Sequence, residues 1–333
     1  MGITVGTRGW IVLGLVAGAG ALGAAACVGD STTPAPADAG PDVSQTVDAA
    51  PDAVTDSGID AAPACDRTKP FGTPDVLLGT PNVSEDGFWL SSDQRTAYAS
   101  IAGSDAGAGG YDLFTLSRVT TNDPWGALTP LKLNTAAMER GAVVSDDGLE
   151  LYFYRLSGNY EILVSTRSST AVDFGTPSPS TLNSAQDDYV SWISKDGLVL
   201  YLASDRTGTT GSGDIWRAVR GDSKSPFGTP VLVPGVNSTS TEGSAVLTAD
   251  ELEIFFSSNR PGGKGGHDIY HATRSTKNDG FGTATLVSEL NSNLIDTPLW
   301  LSADGCTLNY LTAEKFDGAS GTSYDVYRAT RPK

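Results

Sequence analysis

The chain has 333 residues, including 39 glycines, 18 prolines and only two histidines, and 18% of its residues are charged. That turn-rich composition favours many short strands. His267 and His271 alone leave almost no material for a multi-histidine metal site or a Ser-His-Asp centre, and a net charge of −17 excludes the basic surface that nucleic acid requires.

In chain order, Arg8 precedes an apolar, Gly/Ala-rich run over residues 9–26 that reads as an export leader, so residues 1–26 are expected to be a signal peptide. The run ends in Gly-Ala-Ala-Ala before Cys27, which resembles the lipobox of bacterial lipoproteins. The resemblance implies that Cys27 carries lipid. Ala24 stands where Leu is usual, so plain secretory cleavage after Ala26 is one alternative, and retention of the run as a membrane anchor is another. All three export the remainder to the cell envelope, in the periplasm or at the outer surface. Residues 27–64 then lack aromatics and Lys/Arg and repeat Ala, Asp and Pro, a composition that cannot offset its own ordering entropy. They are expected to be a disordered tether, and residues 65–333 the folded domain.

Within that domain three segments recur five times with a period of 49 to 57 residues. One runs through an apolar pair into Ser/Thr-x-Asp and a second strand ("VSDDGLELYFY", "LTADELEIFFSS"). The next carries D-[IVL]-[YFW] and ends in Arg ("HDIYHATR", "YDVYRATR"). The third contains F-G-T ("PFGTPVLV", "GFGTATLV"). Each unit supplies four short strands: A before the Asp turn, B after it, C through the Asp run and D after F-G-T. Adjacent apolar residues in strand A, such as Trp192 and Ile193, need both sheet faces buried, as in a stack of radial blades. The domain opens with a lone strand D (Phe71 to Leu78) and ends with strand C of the last unit (Tyr324 to Arg331). The expected fold is therefore an all-β, five-bladed propeller of four-stranded antiparallel blades, closed by the N-terminal strand completing the last blade.

The S-x-D-G turn, the "SNRPGGKGGHDIY" loop and the terminal "ATR" resemble the WD40-like propeller repeat of TolB-like proteins. The resemblance covers essentially the whole folded domain. It implies a platform that binds another protein, at the envelope or associated with peptidoglycan; the chain is further expected to be held to the membrane by lipid alone and to act as a monomer. Catalysis is not expected. A carbohydrate-binding or glycoside-hydrolase-like propeller with a calcium-dependent acidic centre is the alternative.

The Asp of each A–B turn (Asp93, Asp147, Asp196, Asp250, Asp304) is expected to close its own turn. The Arg that ends each strand C (Arg118, Arg167, Arg220, Arg274, Arg331) reads as an exposed rim charge. Six residues before the Ser/Thr of strand A stand Glu85, Glu139, Asp188, Glu242 and Asp296. At the start of the innermost strand they should ring the channel mouth, as a site for Ca²⁺ or Mg²⁺ or a basic or sugar ligand, or as a solvated rim paired with nearby Arg. No cofactor is otherwise implied. The D–A and B–C connections share that end, so Arg206, Arg260, Lys264 and His267 are placed on the expected binding face. Cys65 and Cys306 both fall at the opposite end of the closing blade, and a disulfide between them should clamp the ring.

Overall fold

The structure, a computed structural model, describes residues 65–79, 83–102, 109–313 and 323–333. The expected signal peptide (residues 1–26), the expected lipidation site Cys27 and the expected tether (residues 27–64) lie outside the described residues. Twenty strands and no helix are present among the described residues. β1 (Asp75–Leu78) is a lone strand D. Blade 1 is β2 (Glu85–Leu90), β3 (Thr96–Ala102), β4 (Tyr111–Ser117) and β5 (Thr129–Pro130). Blade 2 is β6 (Glu139–Val144), β7 (Glu150–Ser157), β8 (Asn159–Thr166) and β9 (Ser178–Pro179). Blade 3 is β10 (Asp188–Ile193), β11 (Val199–Ser204), β12 (Asp214–Val219) and β13 (Val231–Leu232). Blade 4 is β14 (Glu242–Leu247), β15 (Glu253–Ser258), β16 (Asp268–Thr273) and β17 (Thr285–Leu286). Blade 5 is β18 (Asp296–Leu301), β19 (Thr307–Thr312) and β20 (Asp325–Thr330).

Each blade is a four-stranded antiparallel sheet, and β1 pairs with β20 to complete the fifth. The expected closure is what the chain adopts. Cys65 and Cys306 are bonded, with Cα atoms 5.6 Å apart. Strand D is shorter than expected: two residues in blades 1 to 4 and four in blade 5. It is the outer edge, pairs only with strand C, and holds Pro130 and Pro179, which the edge of a sheet tolerates.

The core lies between blades. Strand A carries Trp89, Val143, Trp192, Val246 and Trp300 at one repeat position, all buried. Opposite them on strand B stand Tyr98, Tyr152, Tyr201, Phe255 and Asn309. Every A–B pair is interrupted by a bulge between its acidic start and this apolar end, which adds twist near the axis.

The Asp turns form as expected: Asp93, Asp147, Asp196, Asp250 and Asp304 each accept from the preceding Ser/Thr hydroxyl at 2.5 to 2.6 Å. The rim reading of the strand-C arginines is corrected. Arg118, Arg167, Arg220 and Arg274 each donate Nε to a backbone carbonyl of the A–B turn, at 2.6 to 2.9 Å. Arg331 reaches the Gly305 carbonyl through Nη1 at 3.2 Å. Each guanidinium also lies 4.2 to 4.8 Å from the aromatic ring of an F-G-T segment or its equivalent: Trp125, Phe174, Phe227, Phe281 and Phe71. Arg220 and Arg331 are buried. The terminal Arg and the F-G-T aromatic therefore recur together because one covers the other, tying strand C to the A–B turn and to strand D.

Candidate functional site at the D–A end of the channel

The five acids at the start of strand A are at most 1% exposed. Four of them serve the loop that precedes them. Four residues upstream, Thr135, Ser184, Ser238 and Ser292 donate their backbone N–H to Glu139, Asp188, Glu242 and Asp296, at 3.1, 2.5, 2.7 and 2.7 Å. The hydroxyls of Thr135, Ser238 and Ser292 add a second bond. Arg155, Arg206 and Arg260 complete the pattern in blades 2 to 4, at 2.6, 2.5 and 3.1 Å. Burial raises the Asp296 carboxyl above its ordinary pKa against the bonds from Thr312 and Ser292. The carboxylates of Glu139, Asp188 and Glu242 are thereby bonded to the arginine of their own blade. Among the described residues no three of His, Cys, Asp and Glu stand together as a metal site.

The asparagine just before that Ser/Thr escapes a reading of the sequence for charge, although "LNTA", "LNSA", "VNST" and "LNSN" repeat it. Asn134, Asn183, Asn237 and Asn291 exchange two bonds with the backbone of strand C, for example Oδ1 to the Leu113 N–H and Nδ2 to the Leu113 carbonyl, both at 2.9 Å. Asparagine can do both because its amide carries donor and acceptor together.

The loop residues expected at the binding face have internal work. Arg206 donates to the Leu182 carbonyl, and Arg260 to the Val236 carbonyl. Lys264 donates Nζ to the carbonyls of Ser288 and Asn291, at 2.7 and 3.1 Å, and its backbone N–H to Asp268. The His267 carbonyl accepts from the Asp296 N–H, and burial lowers the imidazole pKa. The glycine-rich loop is thus held by Asp268, as Gly109 is by Asp112.

What departs from five-fold repetition lies one residue further on. The position after the buried acid holds Asp86, Arg140, Tyr189, Gly243 and Thr297. Asp86 and Arg140 form an ion pair between blades 1 and 2. The Arg140 guanidinium stands 4.5 Å from the Tyr111 ring. Around it, Tyr154, Tyr160 and Tyr189 pack with ring centroids 5.1 to 5.6 Å apart. Gly141 allows this approach: at φ 64° it lies against the Tyr154 ring, where a Cβ would collide. Blade 2 makes the B–C connection as a tight turn at Gly158, carrying β7 and β8 to eight residues each.

Two further carboxylates adjoin the tyrosines. Tyr189 donates its hydroxyl to Asp187 at 3.1 Å, and the Asp187 N–H donates to Asp205 at 2.9 Å. Burial, then the neighbouring Asp187, push the Asp205 pKa up. Burial likewise raises Asp86 against the opposing pull of Arg140. The end of the channel thus offers aromatic faces, hydroxyls and unequal carboxyl groups, a mixture able to grip a ligand by apolar contact and hydrogen bonding.

No protein-family model and no curated protein sequence matches the chain. Solved structures do match in shape. TolB from Acinetobacter baumannii is 18% identical with a TM-score of 0.49, over 75% of this chain and 54% of its own, so this chain spans about half of TolB. A glycoside hydrolase is 11% identical with a TM-score of 0.51, over 80% of this chain and 92% of its own. A BT0996–RGII complex is 12% identical with a TM-score of 0.52, over 80% of this chain and 95% of its own. What the glycoside hydrolase and the BT0996–RGII complex share with this chain is the fold.

The expectation that the protein is not an enzyme is overturned. A glycoside hydrolase shares its fold at 11% identity, and Asp86, Asp187 and Asp205, which the repeat does not hold constant, stand beside the even ring. Fold and symmetry do not exclude catalysis.

Proposed function

We propose that the protein is an exported, lipid-anchored propeller of the TolB-like kind that binds a partner protein of the cell envelope at its D–A end. The observation that carries this reading is the tyrosine–arginine cluster of Tyr111, Tyr154, Tyr160, Tyr189 and Arg140. It is built from positions that the repeat leaves free, next to positions that the repeat uses identically in every blade. Tyrosine and arginine give large, stiff contact area with polar tips, and they dominate binding hot spots. A saccharide chain is the second reading, favoured by the Asp187 and Asp205 carboxyls beside the Tyr189 ring. The test is capture from solubilised envelopes by the full chain and by a Tyr160→Ala/Tyr189→Ala variant, alongside co-sedimentation with peptidoglycan. A partner retained by the parent and lost by the variant supports the protein reading, whereas peptidoglycan retention lost in the same variant moves the assignment to saccharide. Equal recovery by both proteins overturns the site. Mass analysis of the mature N-terminus decides lipidation at Cys27.

A further inference from the structure

At the opposite end, where the A–B turns gather, the axis opens into a cavity of about 190 Å³. Its wall is Trp89, Trp192 and Trp300 with Leu90, Ile193 and Leu301. Trp and Val alternate around the blades, and because five is odd, Trp300 of blade 5 meets Trp89 of blade 1 in the ring. Trp89 donates its indole N–H to the Val144 carbonyl at 3.1 Å. The indole N–H groups of Trp192 and Trp300 meet no acceptor among the described residues. Both residues are more than nine-tenths buried, and both line the cavity. At the rim the residue after the strand-A Ser/Thr is Ser92, Asp146, Lys195, Ala249 or Ala303, a position on which the repeat imposes nothing. Lys195 is exposed and has no ion-pair partner among the described residues. Asp146 shares the rim with it.

We propose that this cavity is a second binding site, for a small ring-sized organic molecule carrying a carboxylate. An apolar cavity of roughly 150 Å³ suffices for benzene, so the volume suits one ring. The indole walls supply the apolar contact, the two N–H groups an acceptor's partners, and Lys195 a counter-charge at the mouth. Asp146 on the same rim disfavours a second negative group. The site lies at the other end of the channel from the tyrosines and does not rest on their role.

Calorimetric titration of the full chain with benzoate, benzyl alcohol and benzylamine tests it. Benzoate should bind saturably with one site, benzyl alcohol more weakly and benzylamine not measurably. Lys195→Gln, a change at an exposed position, should weaken benzoate about tenfold, the scale of one lost hydrogen bond to a charged group. Trp192→Phe keeps a ring and deletes the donor, and should weaken it by about three- to tenfold. No saturable binding, equal affinity for all three probes, or an unchanged affinity in Lys195→Gln would overturn the proposal.

Discussion

Asp86 of blade 1 and Arg140 of blade 2 occupy the same repeat position and pair with each other across the blade boundary. The pair is largely desolvated, with side chains 16% and 25% exposed. Breaking it leaves a carboxyl in a site that already raises its pKa. Arg140→Ala should therefore cost about 3–5 kcal/mol at neutral pH. A folded-state pKa above the unfolded value means the native protein holds its proton longer. Stability contributed by that protonation grows as pH falls, and the rise is larger once Arg140 is gone. Urea unfolding should show a smaller deficit for the variant at about pH 5 than at about pH 7. An equal deficit at both would mean that Asp86 does not titrate against this partner.

Glu242 accepts from the Ser238 N–H and hydroxyl, the Ser258 hydroxyl and Arg260. Glu242→Ala strands those donors and the half-buried Arg260 guanidinium, and should lower stability by about 3–5 kcal/mol, with Glu242→Gln costing less. Calcium added after chelation should leave the parent's unfolding midpoint unchanged, because these oxygens are already engaged. A saturable rise in the midpoint would show instead that the ring of acids is open to a cation.

The cross-strand partner of Trp300 is Asn309, where the other blades place Tyr98, Tyr152, Tyr201 and Phe255. Asn309 is fully buried, and neither its amide oxygen nor its nitrogen has a partner among the described residues. Two unmet polar atoms cost more than the same space filled by carbon. Asn309→Leu should raise the unfolding free energy by about 1–2 kcal/mol. A loss measured by denaturant titration would show that the amide holds something the side chain needs.

Cys65 and Cys306 are 241 residues apart in sequence. Constraining so long a loop restricts the unfolded chain strongly, so a Cys65→Ser/Cys306→Ser variant should lose about 2–5 kcal/mol. The comparison is a melting curve of the variant beside the oxidised and reduced parent, and reduction should reproduce the variant's loss.

The propeller is legible in the chain because a blade repeats its turn chemistry: Ser/Thr-x-Asp marks each A–B turn, and the count of elements exposes the closing strand. The work done by the repeated charges is less legible. Glu242 reads as a channel-mouth acid until Ser238, four residues earlier, is seen bonded to it, and Arg274 reads as a rim charge until Phe281 is found beneath it. Both pairings depend on how the chain folds back, which spacing alone does not state. The tyrosine cluster is hidden for the opposite reason. Repeats draw the eye to what is constant, whereas Asp86, Arg140 and Tyr189 become visible only when the column beside the constant acid is read for its differences.

The bond from Cys65 to Cys306 also decides where a pull on the N-terminal side of the domain is felt. β1 is four residues long, registers with β20 at three positions and carries a bulge, so tension reaching it end-on would peel it from the sheet. Cys65 lies ahead of β1, and its sulfur passes tension to the residue just before β19, which lies between β18 and β20. Drag on the preceding chain is thus borne by the middle of a sheet, with the seam of the ring shielded from it.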